Sequence, residues 1–176
     1  EGGLGMSSAV IGDITGDGIA EIIVGAPYSF FDSTQDPDSG AITQENYDGA
    51  AFVLDPTNDG SPNNVKIAHV QGATNSYSYL GWDMVSLGDI DGGGLNDIVI
   101  GSPGNSKAYL YMGESFTQGA TLLLADAQAS MQAVGFGGVD VANAGDSTGD
   151  GLPEVAVGGS FVYGGDSAWV GVYDGA

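Results

Sequence analysis

Gly12-Asp13-Ile14-Thr15-Gly16-Asp17-Gly18-Ile19-Ala20-Glu21 runs directly into Ile22-Ile23-Val24-Gly25-Ala26-Pro27. The same sentence returns as Gly88-Asp89-Ile90-Asp91-Gly92-Gly93-Gly94-Leu95-Asn96-Asp97 before Ile98-Val99-Ile100-Gly101-Ser102-Pro103. It returns again as Gly145-Asp146-Ser147-Thr148-Gly149-Asp150-Gly151-Leu152-Pro153-Glu154 before Val155-Ala156-Val157-Gly158-Gly159-Ser160. Each copy is an oxygen-rich, glycine-punctuated loop of nine residues followed by a β-branched run with a small-residue stop. Repetition of one such unit predicts an array of similar modules.

The loop-opening aspartates are 76 residues apart (Asp13 to Asp89) and then 57 apart (Asp89 to Asp146). Units of that size suit four short strands each. The first unit reads as strands near 6–12, 20–25, 50–55 and 64–70, the second near 83–88, 96–101, 107–112 and 120–125. The third reads as strands near 139–144, 153–158 and 167–173 and ends at Ala176 without a fourth. Period-2 alternation is plain in Tyr109-Leu110-Tyr111-Met112 and Trp169-Val170-Gly171-Val172-Tyr173. At most one helical turn is expected, at Asp126–Met131. The predicted class is all-β, an array of about three four-stranded antiparallel blades in one domain: residues 1–79, 80–136 and 137–176. Three twisted blades do not close a ring, and an unclosed array exposes strand edges. The chain is therefore expected to need further blades or neighbouring copies.

The 176 residues include 42% hydrophobic side chains, enough for a core, yet carry a net charge of −21. Only Lys66 and Lys107 are basic, which argues strongly against nucleic acid or anionic lipid as a partner. No stretch is apolar for the length of a membrane span, so insertion is not expected. Cysteine is absent, and with it disulfide or thiol chemistry.

The acidity points to cations. Nine of the 23 carboxylates lie in the three loops. Ca2+ takes six to eight oxygens from carboxylates, carbonyls and water. A nine-residue loop offers side chains at positions 1, 3, 5 and 9 and a main-chain carbonyl at 7. The candidate ligands are Asp13, Thr15, Asp17, Glu21 and the Ile19 carbonyl; Asp146, Thr148, Asp150, Glu154 and the Leu152 carbonyl; and Asp89, Asp91, Asp97 and the Leu95 carbonyl. Loop two carries Gly93 at position 5, so its site is expected to be the weakest. The competing reading is a metal-free set of turns whose carboxylates cap backbone amides. Flanking strands, not helices, disfavour an EF-hand.

These units resemble FG-GAP repeats, the blades of the integrin α-subunit β-propeller and of many bacterial and algal surface proteins. Leu4-Gly5, Leu80-Gly81 and Phe136 before Gly137-Gly138 match the opening element; Gly25-Ala26-Pro27, Gly101-Ser102-Pro103 and the degenerate Gly158-Gly159-Ser160 match the second. The resemblance implies calcium loops on one face and ligand contacts on the opposite one. That face would include residues 28–49, 72–82, 127–138 and 159–167. Tyr28, Phe30, Phe31, Tyr47, Tyr77 and Tyr79 are its candidate partner-binding residues, for a protein or a glycan. Trp82 and Trp169 are expected in the core. The implied role is that of an extracellular or cell-surface calcium-binding adhesion module. The alternatives are a structural subunit joining further copies edge to edge, and an accessory module of a glycan-active enzyme. No catalytic set is legible: His69, the single histidine, lies in an apparent strand between Ala68 and Val70.

Overall fold

The computed structural model describes residues 2–30, 34–35, 42–44, 47–57, 66–74, 76–132, 137–159 and 169–174. It is all-β. In chain order the strands are β1 (Ser8–Gly12), β2 (Glu21–Ala26), β3 (Thr34–Gln35), β4 (Ile42–Gln44), β5 (Ala50–Leu54), β6 (Lys66–Gln71) and β7 (Met84–Gly88). They continue as β8 (Asp97–Ser102), β9 (Lys107–Tyr111), β10 (Thr121–Leu123), β11 (Ala129–Gln132), β12 (Gly137–Gly145), β13 (Glu154–Gly159) and β14 (Trp169–Tyr173). Short 3-10 turns lie at Pro103–Asn105, Gly113–Ser115 and Leu124–Asp126.

Three principal sheets follow the three repeats: β1-β2-β5-β6-β10, then β11-β9-β8-β7, then β12-β13-β14. A small β3-β4 hairpin stands apart, in the long insertion of the first unit. The second sheet is covered on both faces, which is why Ile98-Val99-Ile100 is apolar without alternation and β8 is buried throughout. Ile98, Ile100, Tyr109 and Tyr111 join Ile23, Val53 and Val70 of the first sheet in one core, around the fully buried Phe116. From the opposite side of the same strands, Val99 and Ala108 join Val141, Val155 and Val157 of the third sheet.

Two expectations are corrected. Residues 121–123 do form a strand, but β10 pairs in parallel with β6 of the first sheet (Thr121 opposite His69), not with the second unit. The fourth strand of the second sheet is β11, antiparallel to β9, in a stretch expected to hold a helical turn. Ala129-Ser130-Met131-Gln132 carries no β-branched residue; cross-strand pairing with Lys107–Leu110 places it there, overriding weak local preference.

The opening and closing glycines of the repeat face each other. Gly5 donates its N–H to the Gly25 carbonyl (2.9 Å), and Gly81 donates to Gly101 (3.0 Å). Successive units also interlock there: a Cβ on Gly25 would stand 2.0 Å from the Gly81 oxygen, which also accepts the Ser7 hydroxyl at 3.0 Å.

His69 is a packed strand residue, only 8% exposed and stacked on Phe52 with 5.8 Å between ring centroids. Lys66 Nζ lies over the same ring. Burial, and secondarily the Lys66 charge, hold the imidazole below its ordinary pKa. The unfolded chain therefore takes up this proton first. Stability is expected to fall as pH drops below about 6.5, until the folded-state pKa is reached. Denaturant unfolding in chelator at pH 7.5 and 5.5 checks it; the loss should be smaller in His69→Gln, and equal losses would remove His69 from the account.

Candidate metal centres

Each loop leaves one strand and enters the next through a bulge: β1 to β2 at Val10/Gly12, β7 to β8 at Ser86/Gly88, β12 to β13 at Asn143/Gly145. The pairing brings the last carboxylate of each loop, the first residue of the second strand, opposite the glycine that precedes the loop's first aspartate. Glu21, Asp97 and Glu154 are consequently buried at the floor of their loops.

The opening aspartate organises the turn. Asp13 accepts N–H groups from Gly16 (2.6 Å), Asp17 (3.1 Å) and Gly18 (2.7 Å). Asp146 repeats the pattern with Gly149 (2.6 Å), Asp150 (3.1 Å) and Gly151 (3.0 Å), and Asp89 with Gly92 (2.7 Å) and Gly94 (3.0 Å). These bonds, led by that from Gly18, hold the Asp13 carboxyl below its usual pKa. The floor carboxylates accept from the second loop residue: Ile14 N–H to Glu21 (2.5 Å), Ile90 to Asp97 (2.8 Å), Ser147 to Glu154 (2.5 Å). The Ser147 hydroxyl adds a second bond to Glu154 and is the leading cause of that carboxyl's lowered pKa. Asp97 goes the other way, raised by burial first, with the charges of Asp91 and Glu114 adding to it.

Within each loop three carboxylates present oxygens within 4.8 Å of one another: Asp13, Asp17 and Glu21; Asp89, Asp91 and Asp97; Asp146, Asp150 and Glu154. Thr15 adds its hydroxyl, bonded to Glu21 at 3.2 Å. Amide capping accounts for part of this oxygen set and not for all of it. Glu154 Oε1 is buried with no hydrogen-bond partner among the described residues, a costly state for a carboxylate oxygen unless a cation meets it. An all-oxygen, carboxylate-rich donor set fits Ca2+ better than a softer metal.

The opposite ends of the strands carry an aromatic cluster. Tyr28 follows the end of β2, Tyr47 precedes β5, and Tyr77, Tyr79 and Trp82 precede β7. Tyr28 meets Tyr47 edge-on at 5.5 Å, and Tyr47 stacks on Tyr79 at 5.6 Å. Tyr77 joins at 6.1 Å from Tyr47, and Trp82 at 6.0 Å from Tyr28. Tyr77 is 55% exposed. Tyr79 holds φ +51°, in the left-handed region, a costly conformation for a bulky residue. Trp82, expected in the core, is a half-buried member of this cluster. Phe30 is exposed, while Phe31, Phe136 and the Trp169 side chain lie outside the described residues.

One neighbour of the loops gave no sign in the sequence. Glu114, from the turn after β9, accepts the Leu95 N–H at 3.2 Å across loop two. Its carboxylate lies where a side chain at Gly93 would begin, 2.0 Å from an ideal Cβ.

Comparison with known proteins agrees with the repeats. Residues 5–54 match the family described as FG-GAP repeat. Integrin alpha-7 of Rattus norvegicus is 33% identical over 116 residues, 64% of this chain and 9% of the relative. Integrin alpha-3 of Mus musculus is 30% identical over 111 residues, 62% of this chain and 9% of the relative. Integrin alpha-4 of Xenopus laevis is 27% identical over 154 residues, 83% of this chain and 13% of the relative. The chain thus spans a small part of the length of each.

Proposed function

We propose that this chain, an FG-GAP repeat chain of integrin α-like type, is an extracellular calcium-binding interaction module that holds a protein or glycan partner through its aromatic end. The observation that carries the reading is the polarity of the array. Three carboxylate trios occupy one end of the strands, the third with a buried oxygen that has no hydrogen-bond partner among the described residues, and five packed rings occupy the other. Bound calcium would neutralise the trios and brace each loop. Asp13, Asp17 and Glu21 would hold it in loop one, Asp89, Asp91 and Asp97 in loop two, and Asp146, Asp150 and Glu154 in loop three. Thr15, Thr148 and the carbonyls of Ile19, Leu95 and Leu152 complete the sets. Residues 1–79, 80–136 and 137–176 would supply its three blades, the second lending β10 to the sheet of the first.

The role we infer is non-catalytic: the histidine is packed on Phe52, and the clustered carboxylates are the proposed calcium ligands. No helix among the described residues is long and apolar enough to cross a membrane. Calorimetric titration of the full chain with CaCl2 tests the metal reading, with three sites expected. Probing arrays of glycans and extracellular-matrix proteins tests the aromatic end. Tyr47→Ala/Tyr77→Ala is expected to weaken array binding by at least about tenfold, and binding unchanged by that pair would move the contact elsewhere.

A second reading, assembly of further copies edge to edge, is favoured by β14. Its outer edge has no partner strand among the described residues, and Val170 and Val172 lie exposed on one face.

A further inference from the structure

Loops one and three each carry an aspartate at position 5, Asp17 and Asp150. Each accepts the N–H of the residue two further on: Ile19 at 2.8 Å and Leu152 at 2.9 Å. In loop two that position is Gly93, and the corresponding N–H, of Leu95, goes to Glu114. The carboxylate is therefore not missing from loop two. It arrives from another part of the chain, and Gly93 is the residue that leaves it room, because a Cβ there would meet the Glu114 carboxyl carbon at 2.2 Å.

The sheet register shows what was exchanged. Leu54 of β5 stands opposite Ile22, and Tyr111 of β9 stands opposite Ile98, so Thr57 and Glu114, each three residues further on, are equivalent. In the first unit Thr57 donates its hydroxyl to Asp55 at 2.6 Å and stands 3.4 Å from Asp17. In the second the acid stands on the turn and the loop residue is reduced to glycine. Loop and turn have traded the carboxylate.

We propose that Glu114 is the position-5 ligand of loop two, completing with Asp89, Asp91 and Asp97 a four-carboxylate calcium site. Asp89, Asp91 and Asp97 converge within 4.8 Å of one another, and Glu114 stands outside that trio, bonded to the Leu95 N–H at its rim. Glu114 is exposed and hinged on a short 3-10 turn, and that turn is anchored by the Gly113 N–H bond to Asp97 (2.8 Å), so the turn and the loop floor are one construction. Charge count tunes the affinity of such sites. Four carboxylates against three make loop two the tightest of the set, the reverse of what its sequence alone indicates. The inference rests on the calcium reading above and is separable from it by experiment.

The test is a CaCl2 titration of the full 176-residue chain followed by amide NMR, with Gly16, Gly92 and Gly149 reporting on loops one, two and three. The expected result is that Gly92 responds at the lowest calcium concentration. Glu114→Gln should shift the Gly92 midpoint upward by about ten- to a hundredfold and leave Gly16 and Gly149 unmoved. The exchange variant Gly93→Asp/Glu114→Thr, which rebuilds the arrangement of loop one, should bind calcium at loop two more tightly than Glu114→Thr alone. Glu114→Gln keeps an oxygen able to accept the Leu95 N–H, so a purely structural role would leave its Gly92 midpoint near the original value. A Gly92 midpoint unchanged in Glu114→Gln, or no gain from the exchange, overturns the assignment while loops one and three still titrate. No response at any of the three glycines overturns the calcium reading itself.

Discussion

Removing calcium from the loaded chain is expected to lower its melting temperature by roughly 15–30 °C. A ligand present at a hundred times its Kd stabilises by about 2.7 kcal/mol per site, so three sites give about 8 kcal/mol. Each kcal/mol moves the melting point of a chain this size by about 2–4 °C. The effect is large because the nine loop carboxylates are held in trios whose oxygens lie within 4.8 Å, and Glu21, Asp97 and Glu154 are buried. Without a cation, mutual repulsion and desolvation act on the very residues that begin β2, β8 and β13. Calorimetric scans in CaCl2 and in chelator check it. Superimposable scans would mean that amide capping alone holds the loops.

Gly81→Ala is expected to cost about 3–5 kcal/mol, comparable with the loss of more than one metal site. Gly81 sits at φ +86°, and a Cβ there would stand 2.2 Å from the Ala50 carbonyl oxygen, a backbone atom that cannot swing aside. The same residue donates to Gly101 and lends its own oxygen to Ser7, so movement to relieve the clash disturbs both units. Gly16→Ala is the internal control. Its φ is +79°, but nothing lies within 4 Å of the added carbon, and only the strain of a left-handed alanine remains, about 1–2 kcal/mol. Denaturant unfolding of the two variants side by side checks the difference. Equal losses would show that backbone strain alone decides, and that the interlock of glycines between units contributes nothing.

The loops were legible in the sequence because everything that shapes them lies within nine residues: an aspartate capping amides three to five positions ahead, glycines at the left-handed bends, a carboxylate at the strand's first residue. The strands beside them were legible for a similar reason, their β-branched runs abutting that punctuation. Glu114 was not. It meets Gly93 through a register set by β8 and β9, and no local spacing announces the pairing. Strand β10 escaped likewise: Thr121-Leu122-Leu123 reads equally well as the edge of its own unit, and only the parallel ladder with His69–Gln71 assigns it to the neighbouring one. The tyrosines were recognisable as a group, whereas their convergence with Trp82 depends on three connections meeting at one end of the strands.

That borrowed strand has a thermodynamic meaning. The first two sheets are not beads that open in turn from a fraying end, because the outer row of one is contributed by the other: β6 cannot shed β10 without the second unit yielding its connection between β9 and β11. A repeat array bound in this way loses the independence that lets solenoids melt stepwise. The first two modules are therefore expected to unfold as a single cooperative block. The third, joined by side-chain packing and by the bonds of Val141 to Asp83 and Asn143 to Ser86, without an exchanged strand among the described residues, is expected to open separately. A single transition seen by probes in all three sheets would refute this.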